Sequence, residues 1–236
     1  MAPELSVCVP VYKRHDEPNI ATLASALPAA SGACSAELVV ALNGIDADDA
    51  GVPAGARTTS LEQNMGVAPG WNAAAREARG DILVFANDDV VPGPGSLERL
   101  AGVLRGHSDA GVVGPVGATF DRSTWTHVDF VEPEDGVAAC DAVSGFLFAT
   151  TRHAWEAVGG FDEAYAPASW EEIDFNVAVQ RHGLRSYAVA GVDAPHEWGI
   201  SSRQPPWRTV RWGGRRELLW SIHRRNRRHF LAKWAA

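Results

Sequence analysis

Cysteine is scarce and scattered: Cys8, Cys34 and Cys140 are the three in 236 residues. An odd number with no paired spacing argues against a disulfide scaffold, a zinc ribbon or a dithiol redox motif, so they read as reduced, mostly buried thiols. Long hydrophobic runs are lacking too. No segment reaches the length needed to span a bilayer, and the first residues lack the charged, apolar and cleavage regions of a leader. The expectation is a cytoplasmic protein, soluble or attached peripherally at the inner face of a membrane. There is no internal repeat or low-complexity segment, and no recognised nucleic-acid module accompanies the formal charge of −8. Nucleic acid is therefore not an expected partner. A chain of this length buries a full core in one fairly large domain without staples.

What is present is charge, unevenly placed. Ten of the 21 Lys and Arg residues fall between Arg203 and Lys233 against one acid, Glu217, so this end carries about +9 and the rest about −17. Such a tail meets something anionic: a nucleotide diphosphate, an anionic acceptor, a membrane leaflet or the acidic body of the protein itself. Leu218, Leu219, Ile222, Phe230 and Trp234 interleave with Arg215, Arg216, Arg224, Arg225, Arg227 and Arg228, which predicts one or two amphipathic helices. Docking of a terminal helix on the acidic body is the favoured reading.

Before the tail, strand and helix signals alternate. Strands are predicted at 5–12, 37–42, 82–86, 112–116, 142–150 and 186–192. Helices are predicted at 20–27, 71–79, 96–104, 152–158 and 171–182, with stops at Gly80 and Gly183 and a Ser96 N-cap. This order argues for an α/β fold with a mostly parallel sheet and crossover helices. The nucleotide-binding half is expected at about 1–110 and a second half at 111–202, with a basic helical tail at 203–236.

The most informative cluster is Asn87-Asp88-Asp89, directly after the apolar run Ile82-Leu83-Val84-Phe85-Ala86. A β-rich run ending in two carboxylates puts negative charge at the carboxyl edge of a sheet, where open α/β folds bind ligands. With strand geometry continued, Asp88 and Asp89 point to opposite faces, which favours Asp89 as a cation ligand with Asn87 or Asp88 in support. A polar turn before Val90-Val91-Pro92-Gly93 is the alternative reading. The acidic stretch Glu171-Glu172-Ile173-Asp174 has two readings as well: a helix start favoured by the macrodipole, or a general base. Glu171 and Asp174 share a helix face, and Glu172 shares another with Phe175.

Five motifs, in this order, resemble the inverting glycosyltransferases of family 2, which have the GT-A fold, a Rossmann-like α/β architecture. They are Val9-Pro10-Val11-Tyr12, Asn64-Met65-Gly66 through Asn72, Gly80-Asp81 through Asp89-Val90, Gly159-Gly160-Phe161-Asp162-Glu163 with Trp170-Glu171-Glu172-Ile173-Asp174, and His196-x-x-Gly199-x-Ser201. The resemblance spans Val7 to about Ser201 and implies that the second half, 111–202, is the acceptor half. It implies a donor site including Pro10, Tyr12, Asn43, Asn64, Gly66, Asn72, Asn87 and Asp88, a Mg²⁺ or Mn²⁺ site at Asp89 and His196, and a base at Glu172 with Asp174 as second choice. A cation held by carboxylate and imidazole offsets the charge that develops on a diphosphate leaving group, and a carboxylate takes the acceptor hydroxyl's proton.

Two positions depart from the family. Leu42 stands where many relatives have a nucleobase-contacting Asp at the end of the second strand. Asn87 replaces the first acid of the Asp-x-Asp, a variant resembling relatives that use dTDP- or UDP-sugars, and fewer charged ligands imply weaker metal binding. The expected partners are a nucleotide-sugar donor and a hydroxyl acceptor on a small molecule, glycan end or lipid-linked saccharide. Peripheral membrane contact through the tail and homodimerisation are left open. A nucleotidyltransferase ranks lower, because Lys13 and Arg14 follow the first strand without a Gly-rich loop; a non-catalytic nucleotide- or carbohydrate-binding module is the remaining alternative.

Overall fold

The computed structural model describes residues 2–13, 16, 19–195, 205 and 207–234. In chain order the elements are β1 (Leu5–Val11), α1 (Ile20–Ser31), β2 (Ala36–Asn43), a short α2 (Ala47–Ala50), β3 (Arg57–Leu61), α3 (Val67–Glu77), β4 (Ile82–Ala86), α4 (Ser96–Gly106) and β5 (Ala110–Gly114). They continue with β6 (Gly117–Asp121), β7 (Thr126–Val131), β8 (Val137–Cys140), β9 (Ala142–Val143), β10 (Leu147–Thr151), α5 (Arg152–Val158), α6 (Glu171–Arg181), β11 (Arg185–Val189), β12 (Thr209–Trp212), β13 (Arg215–Leu218) and α7 (Leu219–Trp234).

The main sheet has eight strands in the order β3-β2-β1-β4-β10-β5-β11-β8. Its first half, β3 to β4, is parallel throughout. Along β1 the side chains of Leu5, Val7, Val9 and Val11 enter one core with Leu23 and Leu27 of α1 and Leu97, Leu100 and Leu104 of α4. Cys8, pointing the other way, enters a second core with Trp71 and Ala74 of α3, Trp155 of α5 and Phe175 and Val179 of α6. The period-2 alternation of a strand thus feeds two helical layers, and both faces of the sheet are dry. Rings of Trp71, Phe85, Phe148, Phe161 and Phe175 meet at centroid separations of 4.6–6.5 Å in the second core.

The predicted strand over 142–150 is in fact two. Ser144-Gly145-Phe146 separates β9 from β10, and β10 runs antiparallel between β4 and β5. Ser144-Gly145 marks the break, and the residues on either side are buried in different sheets. The tail departs from a purely helical expectation. Thr209-Val210-Arg211-Trp212 alternates with period 2 and turns at Gly213-Gly214, both at positive φ, to form a β12–β13 hairpin before α7 begins.

The helix α7 is docked on the body. Phe230 is fully buried against Trp125 and Trp170, and Lys233 reaches both Asp162 at 3.1 Å and Asp174 at 2.9 Å. Asn226, wholly buried, donates its amide to the carbonyls of Tyr165, Ala168 and Ser169, and Arg225 donates to that of Ala166. These carbonyls belong to the loop entering α6, where Ser169 and Trp170 hold positive φ. Asn226→Ala should therefore cost about 3 kcal/mol, the penalty for stranding buried carbonyls. Urea denaturation checks it: the midpoint should fall with the slope unchanged, whereas an unshifted midpoint would make the amide dispensable.

Candidate active site

The chain leaves β4 at Ala86 and turns at once, so Asn87, Asp88 and Asp89 lie in a turn and not on a continued strand. The expectation of opposite faces drawn from strand geometry therefore does not apply. Asn87 donates its backbone N–H to the Phe146 carbonyl at 3.0 Å, which extends the β4–β10 pairing by one step and fixes the turn. Asp88 is buried and Asp89 half-buried. Burial, and then the adjacent charge of Asp89, push the Asp88 carboxyl up to about 7, while Lys13 opposes them.

Glu172 reaches the same edge from α6. Its side chain lies against Gly145, where a Cβ would sit 3.1 Å from Glu172 Cγ. Gly145 precedes Phe146, the residue bonded to Asn87. Three chain segments therefore meet there: the acidic turn, the Gly145-Phe146 turn and the first turn of α6. Glu172 shares with Phe175 the helix face turned to the sheet. Burial raises its carboxyl above the usual range, and Glu171 beside it is raised further by burial and by the Glu172 charge.

Asp174 faces the other way. Tyr165 donates to its Oδ1 at 2.9 Å, Trp234 Nε1 to the same oxygen at 2.6 Å, and Lys233 to Oδ2 at 2.9 Å. Both oxygens are committed to α7 and its loop, away from the acidic turn. Asn72 is committed as well: its amide donates to the Phe161 carbonyl at 2.8 Å and to Glu163 at 2.9 Å, and its oxygen accepts from the Phe161 N–H at 2.9 Å. It pins the Gly160-Phe161 segment to α3.

The remaining predicted residues form the loop before α3. Asn43, buried at the end of β2, donates to the Gly66 carbonyl at 2.9 Å and accepts from Met65 N–H at 2.7 Å. Asn64 accepts from Gly66 N–H at 3.0 Å and donates to the Arg211 carbonyl at 3.2 Å, so the hairpin closes over this loop. Gly66 has φ +102°, and a Cβ there would lie 2.6 Å from Pro167 backbone atoms. Pro167 accepts from Val67 N–H at 2.7 Å. Pro10 packs on Gly70, and the exposed Tyr12 ring lies beneath the Lys13 ammonium. His196 lies outside the described residues. Asp193, three residues earlier, bonds Gly93 at 2.7 Å and Ser96 at 2.9 and 3.0 Å, just beyond the acidic turn.

Sequence reading did not single out Pro167, Gly145 or Asn226. Gly145 interrupting a β-rich run was the available signal; a lone Asn among arginines gave none.

Among the described residues no three His, Cys, Asp or Glu side chains cluster as a metal-binding set. The Asp88-Asp89 pair nevertheless fits a hard divalent cation, since burial and then the Asp89 charge raise Asp88, and a cation would offset the charge of both carboxylates. A cavity of about 530 Å³ lined by Glu4, Asp81, Arg105, Arg152, His153 and Glu156 opens elsewhere, at the start of β4.

The family model "Glycosyl transferase family 2" matches residues 6–132, more than half of the chain. No curated protein sequence matches significantly. Among solved structures, GalNAc-T7 with UDP, GalNAc and Mn²⁺ superposes with a TM-score of 0.70 at 12% identity, covering 98% of this chain and 48% of its own. The mannosyltransferase PcManGT from Pyrobaculum calidifontis, in complex with GDP-Man and Mn²⁺, gives 0.59 at 17% identity, covering 86% and 59%. The chain thus spans about half of these two structures' lengths, and their likeness establishes the fold.

The raised Asp88 carboxyl has a consequence for stability. A carboxyl whose folded-state pKa lies above the unfolded value binds its proton more tightly when folded, so metal-free protein loses stability as pH rises from about 4 to about 7. Asp88→Asn should remove that loss, raising Tm at pH 8 by several degrees and at pH 4 by little. Thermal melts in chelator check it; an equal shift at both pH values would contradict the assignment.

Proposed function

This chain belongs to glycosyl transferase family 2, and from that premise we propose that it transfers a sugar from a nucleoside-diphosphate donor to an acceptor hydroxyl with inversion. The observation that carries the reading is the meeting of the Asn87–Asp89 turn with Glu172 across Gly145 and Phe146. A charge-stabilising group and a base are thereby held at one sheet edge by different elements.

Asp89, with His196, would hold Mg²⁺ or Mn²⁺, beside which Asp88 contacts the donor. When bound, the cation offsets charge on the departing diphosphate. Both similar structures carry a nucleotide or nucleotide sugar with Mn²⁺, which supports this class of donor. The loop Asn64–Gly66, clamped by Asn43 and by the hairpin, and the exposed Tyr12 with Lys13 flank the nucleotide side. A dTDP- or UDP-sugar is the expected donor on the strength of Asn87.

Glu172 takes the proton from the acceptor hydroxyl as the oxygen attacks the anomeric carbon on the face opposite the diphosphate. Its elevated pKa makes it a stronger base than a free carboxylate. Asp174 and Asn72 act as positioning residues: the first ties α6 to α7, the second holds the Gly160-Phe161 segment on which the aromatic core closes. The acceptor is a small molecule, a glycan end or a lipid-linked saccharide.

Glu172→Gln should lower turnover by about 10²–10⁴, measured as nucleoside diphosphate release, while Mn²⁺-dependent binding of the diphosphate stays as in wild type. Near-wild-type turnover would remove Glu172 from the role.

A further inference from the structure

The outward side of the C-terminal unit has a composition that the transfer reaction does not use. Trp220, Arg224 and Arg228 recur at four-residue spacing and so lie along one face of α7. With Ser221 and Arg225 they line a groove of about 340 Å³. Arg225 is paired with Glu217 at 2.8 Å, but Arg224 and Arg228 enter no ion pair among the described residues and are exposed.

The hairpin supplies the other half of this surface. Leu219 N–H bonds the Arg208 carbonyl at 2.9 Å, which sets Trp207 beside Leu218 and Trp220 at the open end of the hairpin. Their exposures, 73%, 37% and 47%, make them three of the few large apolar side chains left in water among the described residues. Arg208 adjoins Trp207, and Arg211 and Arg216 share the hairpin face of Leu218 by strand alternation, all three exposed. Two indoles and a leucine with arginines beside them match an anionic lipid surface, where indole rings settle at the headgroup level and arginines pair with phosphate. No helix among the described residues is long and apolar enough to cross a membrane, so the contact is interfacial.

We propose that this face binds the surface of an anionic bilayer, with Trp207, Leu218 and Trp220 at the lipid boundary and Arg224 and Arg228 on headgroup phosphates. The hairpin's other end, at Gly213, bonds the Asn64 carbonyl at 2.6 Å. Docking by this face therefore keeps the candidate active site within one hairpin length of the lipid. The proposal stands without the transfer reaction.

The test is co-sedimentation of the full chain with phosphatidylcholine vesicles with and without phosphatidylglycerol, at low and high salt. Binding should require the anionic lipid and weaken with salt. Arg224→Glu/Arg228→Glu should weaken it by about 30-fold or more, at about fivefold per arginine lost. Trp207→Ser/Trp220→Ser should abolish the blue shift of tryptophan fluorescence on binding. Unchanged far-ultraviolet dichroism and Tm would establish that both variants fold. Equal binding to neutral vesicles, or no binding to anionic vesicles at low salt, would overturn the proposal. So would concentration-dependent self-association that Arg224→Glu/Arg228→Glu abolishes, which would give the face to the acidic body of a second copy.

Discussion

Three carbonyl groups of one loop converge on the side-chain amide of Asn226, and much of the site's architecture hangs on that contact. The loop, residues 165–170, touches the start of α3, packs on α7 and runs into α6. On one side Pro167 covers Gly66 and accepts from Val67, fixing the entrance of α3. On the other it leads through two left-handed residues into Glu171 and Glu172. A displaced loop would disturb the nucleotide side and the base together, because it touches the entrance of α3 at Pro167 and leads directly into the first turn of α6. Buried backbone groups must find partners, and here α7 is the partner.

The tail therefore serves the acidic body in two ways that its charge alone does not separate. On its inward side His229 bonds Asp162 and Lys233 bonds both Asp162 and Asp174, and these contacts lower the Asp162 carboxyl against the effect of its burial. Its outward cations, at Arg224 and Arg228, lack such carboxylates among the described residues. The division follows helical geometry: residues 226, 230 and 233 face the body, and 220, 224 and 228 face away.

Much of the fold was legible because buried strands and Ala- or Leu-rich helices announce themselves by apolar runs and periodicity, as at 5–11, 82–86 and 96–106. The insertion of β10 antiparallel beside β4 was not, since strand pairing is a non-local choice that an apolar run does not encode. The acidic turn was visible as chemistry but misjudged as geometry, because β4 ends one residue before it. Asn72 and Asp174 show a second limit. Sequence displays a side chain's capacity to bind; it does not display the tryptophan, lysine or backbone amide that already uses it. Lys13, without a Gly-rich loop around it, carries no motif in the sequence, and its place beside Asp88 comes from the fold.

The central claim is that the carboxylates after β4 bind a nucleoside diphosphate through a divalent cation. The direct measurement is calorimetric titration of UDP, dTDP, GDP and CDP into the wild type and Asp89→Asn, each with and without Mn²⁺. The account predicts Mn²⁺-dependent binding of at least one diphosphate that Asp89→Asn loses. Binding indifferent to Mn²⁺ and to Asp89, or no binding by folded protein, would contradict it.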